Sequence, residues 1–313
     1  MGELLFMKPY CKEVIWGGTK LKDIYGYETQ GDHTGEAWVV SANPDGQSIV
    51  IDGTYQGKTL KELWDEHREL FGNLKGDVFP ILIKLIDARD HLSIQVHPDD
   101  EYAYTHEHGE KGKTECWYIV DCDEGADIVI GHKAQTKEEL KAMIDEGRWD
   151  DLLNVIPIHK GDFFYIPAGT VHAIRRGTLI LETQQNSNIT YRLYDYGRLQ
   201  DGKPRQLHIK QSLDVIRCPQ ERKNTVEKAF EKDGNVSQRL VSCPLFAVDH
   251  FEIAEKMTMN QSYAFLIVDV LEGDGSVNGR PVKKGDHFIA PYGCGDLEFS
   301  GKLELITSHV PEK

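Results

Sequence analysis

The chain has 313 residues, of which 40% are hydrophobic and 9% aromatic, so it can bury a substantial core and is expected to form two domains. Its formal net charge of −15 disfavours nucleic acid and anionic lipid as partners, and no apolar run is long enough for a membrane span. The six cysteines are scattered without a C-x-x-C pair, which predicts free thiols in a reducing cytoplasm.

Only a few segments have the pattern of a helix. Thr59-Leu-Lys-Glu62 and Thr136-Lys-Glu-Glu139 have the spacing of a capping box, and apolar residues follow each of them at helical intervals. A third helix is predicted from His208 to Ile216.

Most of the remaining chain alternates apolar and polar residues over short runs separated by Gly, Asp, Asn and Pro, which predicts antiparallel β-structure. The clearest runs are Cys116–Val120, Asp127–Ile130, Asp162–Ile166 and Thr178–Thr183. Strands of this length and spacing favour a jelly-roll β-barrel, and residues 245–310 repeat the pattern with almost no helix. The polar stretch Gln220–Asn235 is interpreted as the connection between the two units.

A weak internal repeat supports this division into two units. The segment Gly161–His172 has a counterpart in Gly285–Asp296, with Gly-Asp, Pro and Gly at the same offsets. The last position is His172 in the first copy and Asp296 in the second, so one active site is expected for the two barrels. The predicted domains are residues 1–235, with the site, and residues 236–313, without a metal site.

Four polar side chains from three stretches could share one metal ion. Gln95 and His97 lie on the same face of a predicted strand, because side chains alternate along it. Glu115 begins the next strand, and His172 follows a Pro-Ala-Gly turn. Two imidazoles, a carboxylate and an amide oxygen suit zinc, manganese, iron or cobalt, and a single anionic ligand leaves the ion positive enough for Lewis-acid chemistry.

The motifs that surround these residues resemble a known family. They are Trp16-Gly-Gly, Gly35-Glu-Ala-Trp-Val-Val-Ser41, Leu92-Ser-Ile-Gln-Val-His-Pro-Asp-Asp-Glu-Tyr-Ala103, Gly112-Lys-Thr-Glu115, Gly161 to His172, and Glu182 through Tyr191-Arg192. In this order they are similar to the type I mannose-6-phosphate isomerases in their short bacterial form, which belong to the cupin superfamily. Ile174 stands where longer members have a tyrosine.

The resemblance implies a mainly β protein with two cupin domains and a few helices. It also implies a zinc-dependent aldose–ketose isomerase that interconverts mannose 6-phosphate and fructose 6-phosphate through an enediol(ate). Its zinc ligands would be Gln95, His97, Glu115 and His172. Its catalytic residues would be Arg192, Lys113 and Glu182, and its substrate-binding residues Lys84 and Ser93. The expected partner is a small sugar phosphate, and the protein is expected to be a monomer or a weak homo-oligomer.

The sequence leaves several alternatives open. Arg192 could instead form a structural ion pair with Asp195 or Glu182, and Lys84 could meet either a phosphate or a buried carboxylate. The identity of the general base is undecided among the three candidates. Two rival functions are a metal-dependent cupin oxygenase and a non-catalytic sugar-phosphate-binding cupin, because a fold alone does not fix a function.

Overall fold

The computed structural model describes residues 2–311, and the predicted mainly β architecture is confirmed there. The first seventeen strands are β1 (Leu5–Lys8), β2 (Tyr10–Gly18), β3 (Thr34–Val40), β4 (Ala42–Asn43), β5 (Gly46–Gln47), β6 (Ile49–Val50), β7 (Ile81–Ala88), β8 (Ile94–Val96), β9 (Glu115–Cys122), β10 (Asp127–His132), β11 (Leu153–Pro157), β12 (Phe163–Ile166), β13 (His172–Ile174), β14 (Thr178–Gln185), β15 (Tyr191–Tyr194), β16 (Leu199–Gln200) and β17 (Lys203–Pro204). The remaining strands are β18 (Phe230–Lys232), β19 (Asn235–Ser242), β20 (Ala247–Ile253), β21 (Lys256–Met259), β22 (Phe265–Val277), β23 (Arg280–Lys283), β24 (His287–Pro291) and β25 (Leu297–His309).

The helices found between residues 2 and 311 are few and short. They are α1 (Lys20–Asp23), α2 (Leu60–Glu66), α3 (Asp100–His106), α4 (Lys137–Asp145), α5 (Trp149–Leu152) and α6 (Ile209–Val215), with a 3₁₀ turn at Arg68–Phe71. The three predicted helices are α2, α4 and α6. The first capping box is complete, whereas the second is half formed, because the Glu139 carboxylate accepts from the amide of Gln135 and not from that of Thr136.

Two antiparallel sheets face each other in the first unit. The six-stranded sheet has the order β12-β9-β14-β7-β2-β3, and the five-stranded sheet has the order β11-β10-β13-β8-β15. A hydrophobic cluster that includes Trp117, Ile180 and Ile128 fills the space between their facing sides. A second cluster packs α4 and α5 on the outer side of the five-stranded sheet. Charged and polar side chains replace the apolar ones at one end of the space between the sheets, where the site lies.

The third large sheet belongs mainly to the C-terminal part of the chain. Its order is β18-β19-β20-β25-β22-β24-β1-β6, with β21 and β23 paired at β25 and β22. A hydrophobic cluster joins residues of this sheet, such as Ile267 and Ile306, to Ile83 and Leu181 on the outer side of the six-stranded sheet. The six-stranded sheet is therefore covered on both sides, which explains why β7 and β14 are buried along their whole length.

Two details of this sheet differ from the sequence-based expectation. The predicted connection Gln220–Asn235 contains β18, which pairs with β19 as a hairpin. The first strand of the chain, β1, pairs with β24, with Leu5 opposite Ile289. The boundary at residues 235/236 stays a prediction, and the N-terminal strand completes the C-terminal sheet. None of the helices within residues 2–311 is long and apolar enough to cross a membrane.

Candidate active site

The structure brings the four predicted metal ligands together at the end of the space between the two facing sheets. Atoms of His97, Glu115 and His172 that could bind a metal all lie within 4.8 Å of one another. The Nε2 atoms of the two histidines are 3.2 Å apart, and each is 3.3 Å from one oxygen of Glu115. The amide Nε2 of Gln95 lies 3.2 Å from Nε2 of His172. All but Gln95 are almost fully buried.

Strand register explains this convergence. Gln95 lies opposite His172 on β13 and opposite Arg192 on β15, so these three residues are neighbours across the five-stranded sheet. Glu115 begins β9 in the facing sheet. The turn before His172 is held to the segment that carries His97, because the amide of Gly169 donates a hydrogen bond of 2.8 Å to the carbonyl oxygen of His97. Gly169 has a φ of +84°, a conformation that favours glycine.

The hydrogen bonds that both histidines make through Nδ1 leave their Nε2 atoms as acceptors, and Nζ of Lys113 lies 3.2 Å from Nε2 of His97. Nδ1 of His97 donates to the carbonyl oxygen of Ile189 at 2.7 Å, and Nδ1 of His172 donates to that of Thr170 at 2.9 Å. Burial, and then the charge of Lys113, lower the pKa of His97 to about 3, and burial lowers the pKa of His172. Two neutral rings therefore present lone pairs 3.2 Å apart, an arrangement that a cation between them stabilises.

Glu115 completes a donor set that fits a divalent transition metal. Its side chain is fully buried, and neither carboxylate oxygen accepts a hydrogen bond of acceptable geometry, although Nζ of Lys113 is 2.6 Å from Oε2. Burial opposes the charged form, but Lys113 and the two histidines outweigh it and hold the pKa of Glu115 well below its usual value. Gln95 turns Oε1 toward the hydroxyl of Ser93 at 3.3 Å, so ligation through Oε1 requires rotation of the amide.

Beside the four predicted metal ligands, lysines and glutamates alternate in a row of charged contacts. Nζ of Lys113 lies 3.7 Å from Glu182, Glu182 lies 3.7 Å from Lys84, and Lys84 lies 3.3 Å from Glu36. Of the two partners considered for Lys84, the structure therefore provides buried carboxylates. The indole of Trp117 donates to Oε1 of Glu182 at 3.2 Å, whereas Oε2 of Glu182 is buried without a hydrogen-bond partner.

Burial and the neighbouring charges shift the pKa values of Lys113 and Glu182, and these shifts determine which of the two can exchange a proton. Burial lowers the pKa of Lys113, but the carboxylates of Glu115 and Glu182 outweigh burial, so the net shift is upward. Burial raises the pKa of Glu182 more than the two lysines lower it. In the metal-free protein, Lys113 is thus a cationic donor and Glu182 is a carboxyl group poised to exchange a proton.

Arg192 lies on β15 and has none of the ion pairs considered for it. Asp195 is instead bound by Arg205, at 2.8 and 2.5 Å, and by Arg198 at 2.5 Å. Nε of Arg192 is buried and makes no hydrogen bond with any residue in the range 2–311. Its backbone amide donates to Nδ1 of His208 at 3.2 Å.

A cleft of about 440 Å³, a volume suited to a small molecule, lies beside the three buried residues His97, Glu115 and His172, which do not line it themselves. All five predicted catalytic and substrate-binding residues line it, as does Gln95. One side, here the lysine–glutamate wall, consists of Lys12, Glu13, Glu36, Lys84, Lys113 and Glu182. The opposite side, here the arginine wall, consists of Arg192, Arg205 and His208.

Sequence reasoning missed Lys12, Glu13, Glu36, Arg205 and His208 as cleft residues. Glu36 had a signal, because it lies inside the quoted Gly35-Glu-Ala-Trp motif. Arg205 and His208 lie in a segment without regular alternation, so their approach to Arg192 depends on the tertiary fold.

Comparison with known proteins agrees with this architecture. Residues 4–140 match the family model of the type I phosphomannose isomerase catalytic domain, and residues 237–310 match that of the mannose-6-phosphate isomerase cupin domain. The chain is 50% identical to mannose-6-phosphate isomerase ManA of Bacillus subtilis, over 98% of this chain and 99% of that protein. It is 48% identical to the mannose-6-phosphate isomerase of Streptococcus mutans over the full length of both chains. A crystal structure of mannose 6-phosphate isomerase from Bacillus subtilis superposes with a TM-score of 0.96 at 47% identity, covering 99% of this chain and 100% of the other. Because these similarities extend over essentially the whole chain, it belongs to the type I phosphomannose isomerase family.

Proposed function

We propose that this protein interconverts mannose 6-phosphate and fructose 6-phosphate with one bound zinc ion. The observation that carries the proposal is the meeting of His97, Glu115 and His172 behind a charged cleft, whose lining residues Gln95 and Lys113 contact them. Relatives that carry this activity in their names match nearly the whole chain, which supports the same substrate. Gln95 is the fourth proposed ligand, from its position opposite His172.

The reaction moves a proton between two neighbouring carbons of the sugar. The C–H bond that must lose this proton is a very weak acid in water. A zinc ion in the site would supply Lewis-acid stabilisation of the negative charge that develops on the sugar oxygens. The two imidazoles are held as acceptors by their Nδ1 hydrogen bonds, and Glu115 provides the single negative charge of the proposed ligand set.

Glu182 is the group best placed to carry the proton. It lines the cleft, its Oε1 is fixed by the indole of Trp117, and its Oε2 is free of hydrogen bonds. Burial raises the pKa of Glu182 toward neutral pH. A carboxyl group with a pKa closer to neutrality can both accept and return a proton during the reaction. The fixed oxygen orients the group, and Oε2, which lies 3.7 Å from Nζ of Lys84, has no hydrogen bond to give up when it takes a proton.

Lys113 and Arg192 are proposed to stabilise negative charge. Lys113 keeps its proton because two carboxylates surround it, so it serves as a donor and not as the base. Arg192 brings a guanidinium without a paired carboxylate to the strand position opposite Gln95, next to the metal ligands. A partly buried guanidinium at this position interacts strongly with an oxyanion, because water screens it poorly.

The roles predicted for Lys84 and Ser93 stay predictions. Ser93 donates to the amide oxygen of Gln95, and Lys84 lies between Glu36 and Glu182. Both contacts support a role in orienting the metal ligand and the proposed base. A phosphate at Lys84 would have to compete with two carboxylates that are already in place.

The decisive experiment is a coupled assay for fructose 6-phosphate formation from mannose 6-phosphate. We expect activity in the purified protein, loss of activity on chelation, and recovery when zinc is added back in stoichiometric amount. Incorporation of solvent deuterium into the product would additionally support proton transfer by a protein group.

Three other outcomes would contradict the proposal. Binding of mannose 6-phosphate without any product would favour the non-catalytic sugar-phosphate-binding cupin. Oxygen consumption that depends on ferrous iron would favour the cupin oxygenase. Full turnover by protein shown to contain no metal would remove the proposed role of His97, Glu115 and His172.

Location and assembly are further parts of the proposal. All six cysteines are free, which supports a reducing cytoplasm as the compartment. We propose a monomer or weak homo-oligomer whose partner is a small sugar phosphate, and size-exclusion chromatography with light scattering tests the state of assembly.

A further inference from the structure

The two walls of the cleft differ in charge balance. The lysine–glutamate wall carries three lysines and three glutamates. Its inner lysines are engaged, because Lys84 contacts Glu36 and Glu182 while Lys113 contacts Glu115 and Glu182. A dianionic group gains little beside Lys84 and Lys113, because each of them already has two carboxylate partners, whereas Nζ of Lys12 lies over the ring of Trp38, 5.2 Å from its centre.

The arginine wall has an excess of positive charge. Arg192 has no carboxylate partner among the described residues, and the single carboxylate of Asp195 is shared by Arg198 and Arg205. Arg192 and Arg205 line the same cleft, and the segment that carries Arg205 is held beside Arg192, because the backbone amide of Arg192 donates to Nδ1 of His208. Positive groups that are brought together in a chain with a net charge of −15 indicate an anionic ligand.

Arg205 is held in a geometry that leaves one edge available. Its Nε and Nη2 donate to the two oxygens of Asp195, so the carboxylate fixes the plane of the guanidinium. Nη1 of Arg205 makes no hydrogen bond within residues 2–311, and the side chain, 13% exposed, lines the cleft. His208 adds a donor at the same wall, because its Nδ1 accepts from the backbone and a neutral ring then carries its proton on Nε2.

We propose that Arg205, fixed by Asp195 and assisted by His208, binds the phosphate group of the substrate and makes the enzyme select phosphorylated over free sugar. The inference rests on the proposed function and adds a residue to it. It places the phosphate on the arginine wall, with Arg192 between the phosphate and the metal ligands, and it leaves Lys84 to its carboxylates. A fixed guanidinium is well suited to this role, since its donors match phosphate oxygens without further ordering.

The test compares Arg205→Gln with the zinc-loaded wild type in two measurements. The first is kcat/KM for mannose 6-phosphate and for free mannose. We expect Arg205→Gln to lose roughly 10- to 100-fold in kcat/KM for the phosphorylated sugar, mostly through KM, and to stay within about twofold for free mannose. Arg205→Lys keeps the charge without the paired donors, and we expect it to recover part of the loss.

The second measurement is the affinity for inorganic phosphate by calorimetry, which requires no turnover. We expect the dissociation constant to rise about tenfold or more in Arg205→Gln and to stay unchanged in Arg148→Gln, which removes an exposed arginine that pairs with Glu146. In the Arg205→Gln variant, Asp195 keeps its ion pair with Arg198, so we expect the variant to fold. Its melting temperature checks this.

The outcomes separate this inference from the proposed function. Arg205-dependent phosphate binding in a protein without isomerase activity would refute the function and retain the site. Normal isomerase activity together with unchanged KM and phosphate affinity in Arg205→Gln would overturn the inference. A loss of phosphate affinity in Lys84→Met, with none in Arg205→Gln, would place the phosphate on the lysine–glutamate wall instead.

Discussion

The two oxygens of Glu182 differ in their surroundings: Oε1 accepts a hydrogen bond from an indole, whereas Oε2 is buried without a hydrogen-bond partner. We expect Glu182→Gln to lower kcat by roughly 10²- to 10⁴-fold, because the amide has a similar shape but accepts no proton. Lys113 and Lys84 keep their other carboxylates, Glu115 and Glu36, so we expect normal zinc content. The coupled assay and elemental analysis measure the two quantities, and a variant that retains zinc and full kcat would exclude Glu182 as the base.

His97 makes the stability of the metal-free protein depend on pH. Its pKa is lowered to about 3 in the folded state, whereas an unfolded histidine titrates near 6.5. The unfolded chain therefore binds the proton first as the pH falls, and stability decreases from about pH 6.5 down to about pH 3, by on the order of 5 kcal/mol in total. We expect the melting temperature to fall less steeply between pH 7 and pH 4 in His97→Gln than in the wild type. Equal slopes of melting temperature against pH in the two proteins would contradict this account.

Sequence patterns indicated the four proposed metal ligands but not all of the residues that line the cleft. Each proposed ligand lies in a short sequence motif, and the spacing of the motif restricts which residues can lie next to it. The four are Gln95, His97, Glu115 and His172. Arg205 and Glu36 enter the cleft from segments far apart in the chain, and no local pattern determines which buried charge meets which. The alternatives for Arg192 and Lys84 were open for this reason, since the choice depends on packing between sheets.

The turn before β13 is hydrogen-bonded to His97 and leads into His172, and we expect it to tolerate no side chain at Gly169. A Cβ there would lie 2.8 Å from the carbonyl oxygen of Val215, and φ is +84°. We expect Gly169→Ala to destabilise the protein by about 1–3 kcal/mol and to weaken zinc binding, because β13 begins at His172. Chemical denaturation and a competitive zinc titration measure these effects. Gly125→Ala is a matched control with φ of +73° and open space around it, and an equal loss of zinc affinity there would refute the argument.

Elements with strong local signals were predictable, and elements defined by their partners were not. The capping box at Thr59 and the alternating runs that became β9, β10, β12 and β14 were identified from the sequence. Strand β18 was missed because all three of its residues are exposed, so it has no apolar face to mark it. The segment forms a strand because its backbone pairs with β19, and the pattern of side chains along the sequence does not reveal this pairing.

The three large sheets share hydrophobic contacts to such an extent that we expect the molecule to unfold in a single transition. Phe265 on β22 is fully buried, and its ring lies 4.9 Å from Phe79 and 5.9 Å from Phe71, which precede the six-stranded sheet's β7. We expect Phe265→Ala to cost about 3–5 kcal/mol and to lower one melting transition common to all probes. Differential scanning calorimetry would contradict this if only one of two separate transitions moved.

The pairing of β1 with β24 joins Leu5 to Ile289 across almost the entire chain. During synthesis on the ribosome, this strand can pair with β6 early, but it must wait for β24 until the long intervening segment has been added. Closing so long a loop is entropically costly, which places this contact among the late events of folding. A nascent chain arrested before β24 should thus expose Leu5, Phe6 and Met7, and chaperones that recognise extended apolar segments should bind it there.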